Sequence, residues 1–162
     1  MTARQAPEDV LRKIYVEPTT RCNLNCLTCV RNVWQEPSGT MEWPVFETFI
    51  KGLKDFPEAQ TMAFSGTGEP LLHPRFTDMV RMAHERGLRT EVTSNGLLLT
   101  REFVFALLDA GLDQFVVSID GTGKNQGEVR PDAALETIIR NVKMFYKYYD
   151  HKVRPAVRIG IS

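Results

Sequence analysis

Residues 115–119 read Phe-Val-Val-Ser-Ile, an almost unbroken apolar run lying between two helical patterns. A strand that is apolar on both sides is covered on both sides. The stretch before it carries Phe103, Val104, Leu107 and Leu108 at helical spacing, and the stretch after it puts Leu135, Ile138, Ile139, Val142, Phe145 and Tyr149 on one face. Helix, buried strand and helix in succession form the repeating unit of a parallel sheet packed against helices.

The same alternation extends towards both termini. Ile14 to Val16 reads as a first strand, stopping before Pro18. Phe46, Phe49, Ile50 and Leu53 give a helix with Pro44 in its first turn and Pro57 beyond its end. Thr61 to Phe64 is a second strand; Pro74 is then expected to open a helix bearing Phe76, Met79, Val80 and Ala83, with Gly87 closing it. Arg89 to Thr93 is a third strand, and Thr100 caps the helix that ends before Gly111. Ala156 to Ile161 is a fifth. Such a sheet is either an open doubly wound layer or an arc of a barrel, and periodicity does not choose between them. In both, ligands bind beyond the carboxyl ends of the strands, where every unusual loop of this sequence falls.

Composition sets wide bounds. The 162 residues are 43% apolar and 25% charged, and 20 basic residues balance 20 acidic ones. That is a globular composition without the basic excess of a nucleic-acid binder. No run of eighteen apolar residues predicts a membrane span, and Met1 to Arg12 has no apolar signal segment, so a cytoplasmic setting is expected.

All three cysteines, Cys22, Cys26 and Cys29, fall in the segment R-C-N-L-N-C-L-T-C-V after the first strand. An odd, clustered set does not make a disulfide framework. Thiolates this close can converge on one metal centre, and soft sulfur selects zinc, copper or iron–sulphur clusters. Structural zinc wants a fourth ligand, and His73, His84 and His151 are all remote in sequence. A Cys26–Cys29 redox pair leaves Cys22 without a purpose.

The C-x3-C-x2-C spacing after a first strand resembles the signature of the radical S-adenosylmethionine superfamily. Three further loops match that family's pattern: Ser65-Gly66-Thr67-Gly68-Glu69-Pro70, Ser94-Asn95-Gly96 and Ser118-Ile119-Asp120-Gly121. The resemblance implies a partial (β/α)6 barrel, here stopping at about the fifth strand, with residues 1–12 as an extension and 13–162 as an incomplete core. It implies a [4Fe–4S] cluster on the three cysteines and S-adenosylmethionine on its open iron, cleaved by one electron to a 5′-deoxyadenosyl radical. Gly66, Thr67, Gly68, Glu69 and Pro70 would receive the methionyl ammonium, Ser118 and Arg130 its carboxylate, and Ser94, Asn95 and Asp120 would lie near the ribose. By the same resemblance Thr28 would lie beside the adenine, where relatives commonly carry an aromatic residue.

Within the superfamily, Arg31, Asn32, Trp34, Glu36, Pro37 and Gly39 resemble a subgroup with a C-terminal auxiliary-cluster domain, associated with maturation of tungsten-cofactor oxidoreductases. A reductase or ferredoxin-type electron donor and a peptide, protein or cofactor substrate follow from that resemblance. The alternatives are a non-catalytic iron–sulphur module for electron transfer or sensing, and a barrel enzyme with structural zinc. The bland reading of Asn95–Gly96 and Asp120–Gly121 is that they are turns.

Overall fold

The computed structural model describes residues 10–121, 128–130, 135–151 and 158–161. Residues 1–9 of the expected extension and 156–157 of the expected fifth strand lie outside these. The strands are β1 (Lys13–Val16), β2 (Thr61–Phe64), β3 (Arg89–Ser94), β4 (Gln114–Val117) and β5 (Arg158–Ile161). The helices described are α1 (Trp43–Gly52), α2 (Phe76–Glu85), α3 (Arg101–Asp109) and α4 (Leu135–His151).

The sheet runs β1-β2-β3-β4-β5 with every neighbouring pair parallel. That order has no reversal, so there is no switch point of the doubly wound kind. Parallel crossovers are right-handed, and an unreversed series of them puts every helix on one face. Contacts follow suit, α1 against α2 and α2 against α3, with α3 against α4. The chain is therefore an arc of a barrel.

Local chemistry accounts for the boundaries. Pro44 occupies the first turn of α1, where its missing N–H costs nothing. The Thr100 hydroxyl accepts from the Phe103 N–H at 3.2 Å and starts α3. Two expectations shift. Pro74 does not open α2: Arg75 is its cap and Phe76 its first residue, because His73 Nδ1 takes the Arg75 N–H at 3.1 Å and holds Pro74 in a turn. β4 stops at Val117, so Ser118 and Ile119 belong to the loop above it.

The helix-facing side of the sheet is the core. Met62, Phe64, Val92, Phe115 and Val117 are buried there. Phe64 meets Phe76 edge-on at 5.3 Å, and Phe115 meets Phe145 at 5.1 Å. Truncating such a ring to Ala costs about 3–5 kcal/mol, so this aromatic layer fixes the arc on which the loops stand.

The opposite, concave side is polar at its amino-terminal end. Lys13 Nζ reaches Glu91 Oε2 at 2.6 Å, and Arg89 reaches Gln114 Oε1 at 2.7 Å and Glu91 at 3.4 Å. Tyr15, 70% exposed, stands among them with the Lys13 ammonium 5.1 Å from its ring. Thr93 and Val116 lie one register step nearer the carboxyl ends.

Candidate active site

Two carboxylates at the carboxyl ends of the strands anchor the loop at residues 65–70. Glu17 follows β1, and its Oε1 accepts from the Thr67 hydroxyl at 2.7 Å and from the Thr67 backbone N–H. Glu69 is 2% exposed, and its carboxylate ties two segments together. Its Oε1 accepts from Leu71 N at 3.1 Å and Ser94 Oγ at 2.8 Å, its Oε2 from Asn95 N at 2.8 Å. Burial pushes the Glu69 carboxyl above its usual range, against the pull of those donors. Glu69 thus clamps the β2 loop to the β3 loop.

Gly68 is required by close approach. A Cβ there would stand 2.0 Å from the Thr19 carbonyl oxygen, and the next residue donates its N–H to Arg21 O at 2.8 Å. At Gly66, φ is +157° and a Cβ would meet the Glu17 carboxylate. The loop lies flat on the chain that leads from β1 to the cysteines.

The cysteine loop is held by side-chain amides and backbone bonds. Asn32 Nδ2 donates to Cys26 O at 2.9 Å and Leu27 O at 3.2 Å, and Leu27 N donates to Val129 O at 2.9 Å. Asn95 turns its amide to this loop: Nδ2 lies 2.8 Å from Asn23 Oδ1 and 3.9 Å from Cys22 Sγ. Ser94 is likewise engaged with Glu69. Ser118 continues the ladder, donating its N–H to Ser94 O at 2.9 Å. Arg130 pairs with Asp120. Burial works against the Arg130 charge, but Asp120 and the facing thiols Cys26 and Cys22 outweigh it and raise its pKa.

These residues enclose one cavity of about 260 Å³. Cys22, Cys26 and Cys29 line it with Thr28, the loop 65–69, Ser94, Asn95, Ser118 and Arg130. Pro70 sits behind, buried at the start of a short 3-10 turn, and Asp120 enters through its pairing with Arg130. All three cysteines are free and partly exposed. Burial, which Arg130 opposes and the neighbouring thiols reinforce, pushes the Cys26 thiol up. Among the described residues no set of three such side chains stands at chelating separation. The donor chemistry nevertheless fits an iron–sulphur cluster: three soft sulfurs face one cavity with a guanidinium opposite, and binding must displace the thiol protons.

The Radical SAM superfamily model matches residues 16–160. This chain belongs to the radical SAM superfamily. It is 33% identical over 157 residues to the tungsten-containing aldehyde ferredoxin oxidoreductase cofactor-modifying protein of Pyrococcus furiosus, covering 94% of this chain and 44% of that one. Among solved structures, native anSMEcpe with bound AdoMet superposes with a TM-score of 0.73 at 20% identity, over 93% of this chain and 43% of that one. Streptococcus suis SuiB bound to its precursor peptide SuiA gives 0.73 at 18%, over 93% and 32%. At those identities the likeness is one of fold. The radical SAM chain described here spans less than half the length of each. No helix among the described residues is long and apolar enough to cross a membrane.

Glu17 and Asn23 went unremarked in the sequence. A carboxylate directly after a strand in a parallel sheet is the signal that would have found Glu17; Asn23 carries no such signal.

Proposed function

We propose that Cys22, Cys26 and Cys29 hold a [4Fe–4S] cluster, that S-adenosylmethionine binds in the adjoining cavity, and that the protein uses the pair in the maturation of a peptide or cofactor. The supporting observation is that one cavity is lined both by all three cysteines and by the loops at 65–69, 94–95 and 118. When bound, the cluster supplies the electron that cleaves S-adenosylmethionine to a 5′-deoxyadenosyl radical.

The chain's own residues do the positioning. Glu69 and Glu17 fix the β2 loop so that its carbonyls converge on an ammonium, which has donors only. Arg130 offers a guanidinium to a carboxylate, with Ser118 beside it on the same wall. Thr28 sits between two cysteines on the cavity wall, where an adenine would meet it. Residues 13–162 form the corresponding part of the core, and a reductase or ferredoxin-type protein is the electron donor this chemistry requires.

Electron paramagnetic resonance on anaerobically reconstituted, dithionite-reduced protein tests the reading. A cubane signal that changes on adding S-adenosylmethionine is the expected result. A cluster signal indifferent to it would replace this reading with an electron-transfer or sensing module, and zinc without sulfide would replace it with a structural site.

A further inference from the structure

Asn95 directly follows β3 and is 5% exposed. The β2 loop fixes its place: its backbone N–H donates to Glu69 Oε2 at 2.8 Å, and the next N–H, that of Gly96, donates to Ser94 Oγ at 3.0 Å. The side-chain amide has a definite orientation. Leu97 N donates to one end of it at 3.0 Å, and that end must be the oxygen, since a second N–H could accept nothing. The other end is Nδ2, with two hydrogens. One goes to Asn23 Oδ1 at 2.8 Å, and the other is left for Cys22 Sγ at 3.9 Å.

A hydrogen bond to sulfur is longer than one to oxygen because the sulfur atom is larger. Reduction adds negative charge to an iron–sulphur cluster and to its thiolates. An N–H aimed at a ligating sulfur is therefore held more strongly in the reduced form, and it raises the potential. Resting on the proposed cluster, we propose that Asn95 is a positioning residue for the electron-transfer step: its Nδ2–H on Cys22 Sγ makes the cluster easier to reduce. The amide is neutral, so it does this without adding a charge to the site. Glu69 anchors the Asn95 backbone, so the loop at 65–70 also sets the donor on Cys22.

The test uses anaerobically reconstituted, dithionite-reduced protein labelled with 15N in the asparagine side chains, without S-adenosylmethionine. Electron–nuclear double resonance should show a 15N coupling to the cluster together with a proton coupling that exchanges in heavy water. Both should be lost in Asn95→Leu, and the midpoint potential should become more negative. Asn23→Ala, Asn25→Ala and Asn32→Ala, which alter the other asparagines of the cysteine loop, should keep the coupling and the parent potential. A purely structural role for Asn95 predicts lowered melting temperatures in both Asn95→Leu and Asn23→Ala with no change of potential in either.

A reduced cluster with no 15N coupling in the unmutated protein would overturn the proposal, whatever Asn95→Leu does to folding. So would a coupling that disappears in Asn25→Ala or Asn32→Ala, by giving the donor to another residue. A cluster that shows the coupling but is indifferent to S-adenosylmethionine would support the role of Asn95 and sink the radical reading instead, which keeps the two failures apart.

Discussion

Two loops face each other across the cavity, and they are ordered in opposite ways. The loop at 65–70 is finished by the protein itself: Glu17 and Glu69 take its donors and Gly68 lies against a carbonyl. The cysteine loop at 22–34 is unfinished. It exposes Leu27, Val30, Val33 and Trp34, orients its thiols without bringing them to chelating distance, and leaves Arg31 Nη1 without a partner. One side of the site is tied down by a buried carboxylate; the other stands at the surface.

The contrast is open to attack from both sides. Cys26→Ser should abolish the cluster, read as loss of iron and of the reduced cubane signal. The apo fold should stay within about 0.5 kcal/mol of the parent by thermal denaturation, because nothing on the finished side leans on that sulfur. A large loss of apo stability would mean the cysteine loop is structural after all.

Glu69→Gln should cost about 2 kcal/mol, since an amide nitrogen would face one of the three donors that the carboxylate now accepts. The pH dependence has a definite sign. The folded carboxyl sits above its ordinary 4.5, so between 4.5 and the folded value the native state holds the extra proton. Stability of the parent relative to Glu69→Gln should fall as pH rises from about 4.5 and then level off. A relative stability that rises with pH across that window would show the bonds outweighing burial.

Gly68→Ala should cost about 1–3 kcal/mol, because the displaced atoms are backbone and cannot swing away. Weakened S-adenosylmethionine binding by calorimetry should accompany it. The smallest effect is expected from Asn32→Ala, which removes two exposed bonds to the cysteine loop. About 0.5–1 kcal/mol of stability is at stake, and a melting shift as large as that of Glu69→Gln would erase the contrast between the loops.

Local signals made most of this readable in advance. The helix of residues 101–109 carried its own cap in Thr100 and that of residues 43–52 a proline in its first turn, and the cysteines and the G-T-G-E-P loop announced themselves by spacing. What stayed hidden was non-local. Whether the strands form an arc or a doubly wound layer depends on an order that pairs Lys13 with Thr61 and Thr61 with Arg89, and no periodicity encodes it. Asn95 was legible as a turn and, by resemblance, as a residue of the site, but its amide answers to Asn23, 72 positions earlier. Arg130 was assigned by resemblance to a cofactor carboxylate; that it also pairs with Asp120, ten positions earlier, no local pattern announces.

The row of Lys13, Arg89, Glu91 and Gln114 on the concave face has a bearing on shape selection. Lys13 is bonded to Glu91 and Arg89 to Gln114 across the strands, so together they make a polar floor beneath Thr93 and Val116. An apolar molecule gains nothing by sinking past that level, and a charged one would have to break an existing pair to do so. The floor acts as a depth stop: whatever enters the arc is kept at the height of the loops.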